Sequence, residues 1–107
     1  MIDTFDDGGL AFEWDRRKAK MNLAKHGVTF EHAATSFADL RAKIVPDRDH
    51  SGPEERWHHL AMSAMGELLL TGYTLRNLRI RIIFARPASR RERHEYFQGQ
   101  RRRRRPR

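Results

Sequence analysis

Two arginines with the spacing of an anion-binding surface, Arg79 and Arg81, stand in a predicted β-strand over residues 78–84. Side chains alternate along a strand, so both arginines should point to one face. The apolar residues of the segment should point to the opposite face; they are Leu78, Ile80, Ile82 and Phe84. The two arginines would stand roughly 7 Å apart along the strand, which is similar to the spacing of successive phosphates in single-stranded nucleic acid. This pattern predicts a cationic face for a polyanion, and the alternative is a solvated sheet face whose charges discourage edge pairing.

The neighbouring sequence predicts the elements that would hold this strand. Residues 67–74 form a second strand candidate, and residues 75–77 can serve as a hairpin turn because Asn77 tolerates positive φ. Pro87 ends regular pairing. Ser89 and Glu92 then have the spacing of a capping box, which predicts a helix to about Phe97. On that helix Arg90, Arg93 and His94 should share a face.

The N-terminal half predicts two short helices. Asp15 is a candidate N-cap for a helix over residues 16–26, and Gly27 suits the left-handed residue that follows a helix. Thr29 is a second N-cap candidate, and apolar residues follow it at helical spacing until about Asp39. Short strands are predicted over residues 12–15, 41–45 and 54–63. We therefore expect an α+β fold in which a small antiparallel sheet carries two N-terminal helices and one C-terminal helix.

Length and composition bound the organisation of the chain. With 107 residues and 38% hydrophobic content, the chain suits one compact domain. No window approaches 18 apolar residues, the acidic N-terminus does not resemble a secretory signal, and cysteine is absent. We expect a cytoplasmic protein with no membrane contact, a disordered segment over residues 1–10, a domain over residues 11–98, and a disordered polyarginine tail over residues 99–107.

The net charge of +8 is unevenly distributed. Residues 101–107 hold six arginines, and residues 76–98 hold seven arginines against two glutamates, whereas residues 1–75 are acidic on balance. The tail would strengthen binding to any polyanion, and the alternative is a dispensable solubilising extension. The loop over residues 46–53 contains Asp47, Asp49 and His50, but no second cluster completes a metal shell, so we expect no metal and no cofactor.

An ordered set of short motifs resembles the BrnT family of bacterial toxins over roughly residues 11–97. The motifs are FEWD at 12–15, NLAKHGVTFE at 22–31, AATSFAD at 33–39, DHS at 49–51, EERW at 54–57, RIRII at 79–83 and ARPASRRER at 85–93. The sequence departs from the family in the HHLAM segment at 58–62, in the TGY segment at 71–73 and in the tail. None of these departures removes a candidate arginine.

The resemblance implies a type II toxin with a RelE-like fold that cuts RNA without a metal and arrests translation. It also implies a BrnA-like antitoxin as partner, whose ribbon-helix-helix region binds operator DNA, so that the toxin contacts DNA only through the antitoxin. The charge pattern and the resemblance agree on a polyanionic partner, RNA. A non-catalytic module that binds nucleic acid or antitoxin is the alternative function.

Metal-free RNA cleavage needs a base for the 2′-hydroxyl, cations for the phosphorane and an acid for the leaving 5′-oxygen. Arginines supply planar, bidentate donors for the second role. Our candidate catalytic residues are Arg56, Arg79, Arg81, Arg86, Tyr96 and His58, and the candidate RNA-binding residues are Arg90 and Arg93. His58 is preferred to His59 because alternation places it on the face of Arg56. The alternative is that Arg79 and Arg81 bind an acidic antitoxin segment or pair with Glu54, Glu55 and Glu92.

Overall fold

The computed structural model describes residues 1–104, which form one mixed sheet and three α-helices. The strands are β1 (Ile2–Asp7), β2 (Leu10–Asp15), β3 (Lys43–Pro46), β4 (Arg56–Met62), β5 (Leu68–Arg76) and β6 (Arg79–Pro87). The helices are α1 (Arg16–His26), α2 (Phe30–Thr35) and α3 (Arg90–Arg104), and a 3-10 turn over Ser36–Ala38 extends α2. The predicted α+β class is therefore confirmed.

The six strands follow the spatial order β1-β2-β6-β5-β4-β3. Four of the five neighbouring pairs are antiparallel, but β2 and β6 pair in parallel, with Phe12 opposite Ile80 and Glu13 opposite Arg81. The expectation of an antiparallel sheet led by two helices was wrong. The helices follow a strand hairpin, because the chain leaves β2 through α1 and α2 and crosses to the far edge of the sheet at β3.

The first ten residues form part of the sheet, contrary to the predicted disordered segment. Strand β1 pairs with β2 along its length, and Gly8 and Gly9 make the turn between them with φ of 59° and 83°. The Phe5 ring packs against Trp14 with centroids 5.9 Å apart, and Asp3 forms an ion pair of 2.7 Å with Arg16. These contacts join positions 9 to 13 residues apart, so the acidic composition of the segment did not reveal them.

The C-terminal helix is longer than predicted. It continues past Phe97 to Arg104, so the first part of the predicted disordered tail is helical. The remainder of that predicted tail, residues 105–107, lies outside the described residues. No helix within residues 1–104 combines the length and the apolar character that crossing a membrane requires.

Predicted helix caps are present at four helix ends. Thr29 caps the start of α2, where its hydroxyl accepts a hydrogen bond from the backbone N–H of His32 at 3.0 Å. The Asp15 side chain accepts hydrogen bonds from the backbone N–H groups of Arg17 and Lys18, and Gly27 ends α1 with a φ of 70°. Ser89 and Glu92 form the reciprocal capping box, in which each side chain accepts from the other residue's backbone N–H at 3.2 and 2.7 Å. Local sequence therefore sets where α1 and α3 begin.

The sheet separates two apolar clusters. On one face α1 and α2 cover the larger core, which includes Phe12, Trp14, Val28, Phe30, Leu69, Ile82 and Ala85. On the other face α3 contributes Tyr96 to a smaller cluster with Leu60, Leu68 and Leu70. This smaller cluster occupies the end of the face formed by the last residues of β4 and the first residues of β5. The other end of that face carries the charged residues described next.

Candidate active site

One row of paired residues crosses four strands on the α3 side of the sheet. Arg56 on β4 is opposite Thr74 on β5, Thr74 is opposite Arg81 on β6, and Arg81 is opposite Glu13 on β2. Neighbouring strands lie about 4.8 Å apart, so the backbones of Arg56 and Arg81 are separated by roughly 10 Å. Residues paired in this way point to the same face, so Arg56 and Arg81 share one face of the sheet, with β5 between their strands.

A second row lies next to the first, at the turn of the β5–β6 hairpin. Arg76 and Arg79 are directly opposite each other in this row. The turn is made by Asn77 and Leu78, whose φ angles of 52° and 64° are both positive. Leu78 is fully exposed in the turn and does not join the core face, contrary to the expected alternation.

Ion pairs distinguish the arginines of these rows. Arg76 donates two hydrogen bonds to Glu54, at 3.0 and 2.7 Å, and the bond from Arg76 holds the pKa of Glu54 below its usual range. Arg81 forms an ion pair of 2.8 Å with Glu13, and both side chains are largely buried, with exposures of 19% and 12%. These two arginines are therefore neutralised within the fold.

Arg56 and Arg79 have no such partner. Neither guanidinium makes an ion pair or a side-chain hydrogen bond with any residue whose side chain the structure describes, residues 1–99. The Nη1 atom of Arg79 is buried and has no hydrogen-bond acceptor. Leaving a buried donor unpaired costs about 1–3 kcal/mol, more for a charged group. The pair therefore forms the cationic centre of the face that is available to a ligand.

Arg86 does not join this centre. It pairs in register with Leu70, at the α3 end of the face, and donates to both carboxylate oxygens of Glu92 at 2.8 and 2.9 Å. Hydrogen bonding from Arg86 lowers the pKa of Glu92 to about 2, so this ion pair persists at neutral pH. Arg86 thus joins the start of α3 to β6. The expectation that Arg86 surrounds a scissile phosphate together with Arg56 and Arg79 is not supported by this geometry.

A bulge in the β5–β6 pairing changes which face Phe84 occupies. The register shifts between Gly72 and Tyr73, so Gly72 is opposite Phe84 while Tyr73 is opposite Ile82. Ile82 stays in the larger core, but Phe84 turns to the α3 side of the sheet and packs against the smaller cluster. This side carries Arg56, Arg79 and Arg81, and we call it the arginine face. The prediction that Phe84 shares a face with Ile82 was wrong, because strict alternation does not hold across a bulge.

His58 lies on the arginine face, as its alternation with Arg56 predicted. Its Nε2 atom is 3.0 Å from Oδ2 of Asp47, and its ring meets the Phe84 ring edge to face at 5.7 Å. Nδ1 of His50 is 3.1 Å from the same Asp47 oxygen. Burial opposes the ionisation of Asp47, but the hydrogen bond from His50 and the contacts with His58 outweigh it and lower the pKa of this carboxyl group.

The sequence pointed to Asp47 and His50 only as possible metal ligands and did not reveal their contact with His58. Asp47 and His58 are eleven positions apart in the chain, and the pairing of β3 with β4 brings them together. The one available signal was the position of Asp47 directly after a predicted strand. Across residues 1–104, no group of three or more histidines and carboxylates is arranged to hold a metal ion.

A small cavity of about 140 Å³ lies beside this cluster. Its lining combines the charged residues Asp47, His50 and Arg56 with the aromatic residues Trp57, Tyr73 and Phe84, and with Gly72 and Ile83 at the bulge. The cavity therefore connects the acid and imidazole groups with one of the two unpaired arginines. A larger groove of about 540 Å³ lies between α1 and β6 and includes Lys18, Lys25 and His26.

Tyr96 and His59 have structural surroundings. Tyr96 is only 4% exposed in the smaller cluster, and its hydroxyl donates to Oδ2 of Asp39 at 2.5 Å. His59 lies on the opposite face and stacks on Phe37 with ring centroids 3.9 Å apart. Burial lowers the pKa of His59 to about 4, which keeps the ring neutral. Neither residue reaches the arginine rows.

The two candidate RNA-binding arginines lie on α3 and are exposed. Arg90 is the first residue of the helix, and the Arg93 guanidinium lies over the Phe97 ring at 5.7 Å from its centroid. They border the covered end of the arginine face. From this position the two arginines could contact the sugar-phosphate backbone of an RNA strand that extends beyond the rows of Arg56, Arg79 and Arg81.

Comparisons with known proteins identify the family of this chain and a similar fold. The family described as "Ribonuclease toxin, BrnT, of type II toxin-antitoxin system" matches residues 14–92. The fold is similar to that of the Brucella abortus ribonuclease toxin BrnT, solved at 1.1 Å, with a TM-score of 0.56 and 24% identity over 72% of this chain and 94% of that one. No curated protein sequence matches the chain. Since the family match spans most of the sequence and includes both arginine-bearing strands, the chain belongs to the BrnT family of ribonuclease toxins of type II toxin-antitoxin systems.

Proposed function

We propose that this protein is a metal-independent endoribonuclease that cleaves RNA and thereby inhibits translation. Its partner is a BrnA-like antitoxin with a ribbon-helix-helix region, which holds the toxin inactive and carries it to operator DNA. The site of action is the cytoplasm. Membership of the BrnT family supports the ribonuclease and toxin roles, and the arginine face supports RNA as the substrate.

The chemistry follows from what the arginine face can offer an RNA strand. The 2′-oxygen attacks the adjacent phosphorus, a bond from phosphorus to the 5′-oxygen breaks, and negative charge accumulates on the phosphorane oxygens. Arg56 and Arg79 supply the guanidinium donors that stabilise this charge. Because Arg81 forms an ion pair with Glu13, it contributes less positive charge to the arginine face. Its role is to hold β2 and β6 in register beside the other arginines. His58, which shares the face of β4 with Arg56, is a candidate for proton transfer.

The observation that carries the proposal is the unpaired state of Arg56 and Arg79 among the described residues. Other arginines of this face have a carboxylate partner within 3 Å, namely Arg76, Arg81 and Arg86. A buried Arg79 donor without an acceptor favours a ligand that brings acceptor oxygens. A phosphodiester has such oxygens, and it also has the negative charge that the pair needs.

The experiment measures cleavage of mixed RNA by the purified protein in EDTA. Arg56→Ala and Arg79→Ala should each lower the rate by about 100-fold, the size typical of losing one donor to a developing oxyanion. Arg17→Ala, on the exposed surface of α1, is the matched control and should cut like the unmodified protein. Expression without a partner should arrest growth, and the same two substitutions should relieve the arrest.

RNA affinity gives an independent measurement of the same contacts. For single-stranded RNA, each phosphate contact contributes a slope of about −0.7 to the dependence of log K on log salt concentration. Arg79→Ala should therefore make the slope shallower by about that amount, and Arg17→Ala should leave it unchanged.

A non-catalytic binding module is the second candidate, because the same cationic face would also suit an acidic antitoxin segment. In that case RNA stays intact while binding persists, and Arg79→Ala weakens the complex with the antitoxin. Cleavage that requires added divalent metal would reject metal independence without rejecting the ribonuclease. Intact RNA under all conditions would reject the enzyme.

A further inference from the structure

Asp47 lies between two histidines at the edge of the arginine face. Its Oδ2 atom is 3.0 Å from Nε2 of His58 and 3.1 Å from Nδ1 of His50. The carboxylate is 9% exposed, whereas the side chains of His58 and His50 are 30% and 70% exposed. One buried anion therefore contacts two imidazoles that both remain accessible from outside.

The hydrogen bonds to Asp47 determine which nitrogen of each imidazole carries the proton that faces the carboxylate. An ionised carboxylate only accepts hydrogen bonds, so Nε2 of His58 and Nδ1 of His50 must both carry the proton that they share with Asp47. The other nitrogens, Nδ1 of His58 and Nε2 of His50, are left to act outward. A carboxylate that holds an imidazole in one tautomer and stabilises its charged form is a recurring device for proton transfer.

We infer that His58 and His50 form the general base and general acid of RNA cleavage, and that Asp47 is the positioning residue that holds both rings. The inference rests on the proposed ribonuclease function and assigns its proton-transfer groups. His58 is assigned as the base because it shares the β4 face with Arg56 and thus lies beside the predicted phosphate position. His50 is assigned as the acid because it lines the cavity that contains Arg56 and lies in the more exposed position.

The proton balance of the step closes with these groups. Nδ1 of His58 takes the proton from the 2′-hydroxyl as the bond from the 2′-oxygen to phosphorus forms. Nε2–H of the protonated His50 gives its proton to the 5′-oxygen as the bond from phosphorus breaks. The products are a 2′,3′-cyclic phosphate and a 5′-hydroxyl. Asp47 stays ionised throughout, and exchange with water restores the two rings.

The strand neighbours of His58 are uncharged. Val45 and Gly72 flank His58 on the neighbouring strands, and Phe84 covers it from β6. The charged group that shares the face on β4 is Arg56, and Arg81 follows it in the same row across the sheet. Asp47 is the carboxylate that contacts both rings, so its removal should be measurable in the pH dependence.

The backbone of Asp47 has its own role, which a side-chain substitution leaves in place. Its N–H donates to the carbonyl oxygen of Arg56 at 2.8 Å, and its carbonyl oxygen accepts from the Ser51 hydroxyl at 2.7 Å. Asp47→Asn keeps the shape of the side chain and these backbone bonds. Asp49→Asn, an exposed position in the same loop, is the matched control.

The test is the pH dependence of RNA cleavage in EDTA, which should be bell-shaped for a base and an acid acting together. Asp47→Asn should lower the rate by about 100-fold or more, the scale of general acid–base catalysis, and leave RNA binding unchanged. Asp47→Glu should recover part of the activity, and Asp49→Asn should match the unmodified protein. His58→Gln should remove the acidic limb of the profile, and His50→Gln should remove the alkaline limb.

The exposed His50 allows the test even if an Asp47 variant does not fold. Retention of the full bell-shaped profile by His50→Gln, with Arg79→Ala inactive, overturns the inference and leaves the ribonuclease proposal standing. If Asp47 had only a structural role, Asp47→Asn would lower thermal stability but would keep the shape of the pH profile of cleavage. This outcome also overturns the inference. Absence of cleavage by the unmodified protein overturns both proposals.

Discussion

Gly72 and Phe84 are directly opposite each other on β5 and β6, and the phenyl ring covers the glycine. A Cβ atom at position 72 would lie 2.0 Å from Cε2 of Phe84 and 2.4 Å from Cδ2. A side chain at position 72 would therefore collide with the ring, and only glycine fits there without a shift. It makes room for the ring that forms a wall of the cavity beside Asp47 and Arg56.

Gly72→Ala should destabilise the protein because the Phe84 ring must leave its place. We expect the free energy of unfolding in urea to fall by about 1–3 kcal/mol, the usual cost of forcing extra volume into a packed site. Phe84→Leu provides the control: in that background the alanine should cost clearly less. Equal costs in the two backgrounds would show that the ring does not limit position 72.

Arg86→Ala tests the assignment of Arg86 to the fold. Loss of its two hydrogen bonds to Glu92 should lower the free energy of unfolding by about 1–2 kcal/mol, while RNA cleavage should stay within about threefold of the unmodified protein. A 100-fold loss of cleavage by a folded variant would return Arg86 to the catalytic centre.

Glu92 should make stability depend on pH in the acid range. Its pKa is lowered in the folded protein from 4.5 to about 2, so the stabilisation is complete above pH 4.5 and is lost as pH falls toward 2. Thermal melts of Glu92→Gln should show a shallower acid dependence in that window, with a difference of about 1–3 kcal/mol after allowing for partial exposure. Parallel curves for the two proteins would contradict the ion pair.

His59 should make the free energy of unfolding depend on pH between about 4 and 6.5, which is above the range in which Glu92 acts. Its pKa is lowered by burial from 6.5 to about 4, so the unfolded chain binds a proton between these values and the folded protein does not. Stability should thus decrease as pH falls from 6.5 to 4, by about 3 kcal/mol for a shift of this size. His59→Phe keeps a ring on Phe37 and should remove most of this decrease, whereas the exposed His94→Gln should not.

Tyr96→Phe should affect stability and leave cleavage unchanged. Burial opposes the ionisation of Asp39, but hydrogen bonds from the Tyr96 hydroxyl and from the backbone N–H groups of Met62 and Arg41 lower its pKa. Removing the hydroxyl should cost about 1–2 kcal/mol in urea unfolding. A tenfold fall in the cleavage rate with an intact fold would instead support the catalytic role first expected for this tyrosine.

The sequence alone determined the features that depend on neighbouring residues. The caps at Asp15, Gly27 and the Ser89–Glu92 box use contacts within a few positions, and the alternation of Arg79 with Arg81 and of Arg56 with His58 follows from strand geometry. Charge counting located the basic C-terminal part of the chain, residues 76–107, and the ordered motifs indicated the family that the comparison established.

Tertiary structure decided which of these groups are available for chemistry. Glu13 and Arg81 are 68 residues apart, and Asp47 meets His58 only because β3 and β4 pair. The bulge at Gly72 and the parallel contact of β2 with β6 also depend on register between distant strands. A charge shows in the sequence, but its partner is set by the packing of distant segments. Only the folded chain therefore distinguishes Arg81 and Arg86, which have carboxylate partners, from Arg56 and Arg79, which have none among the described residues.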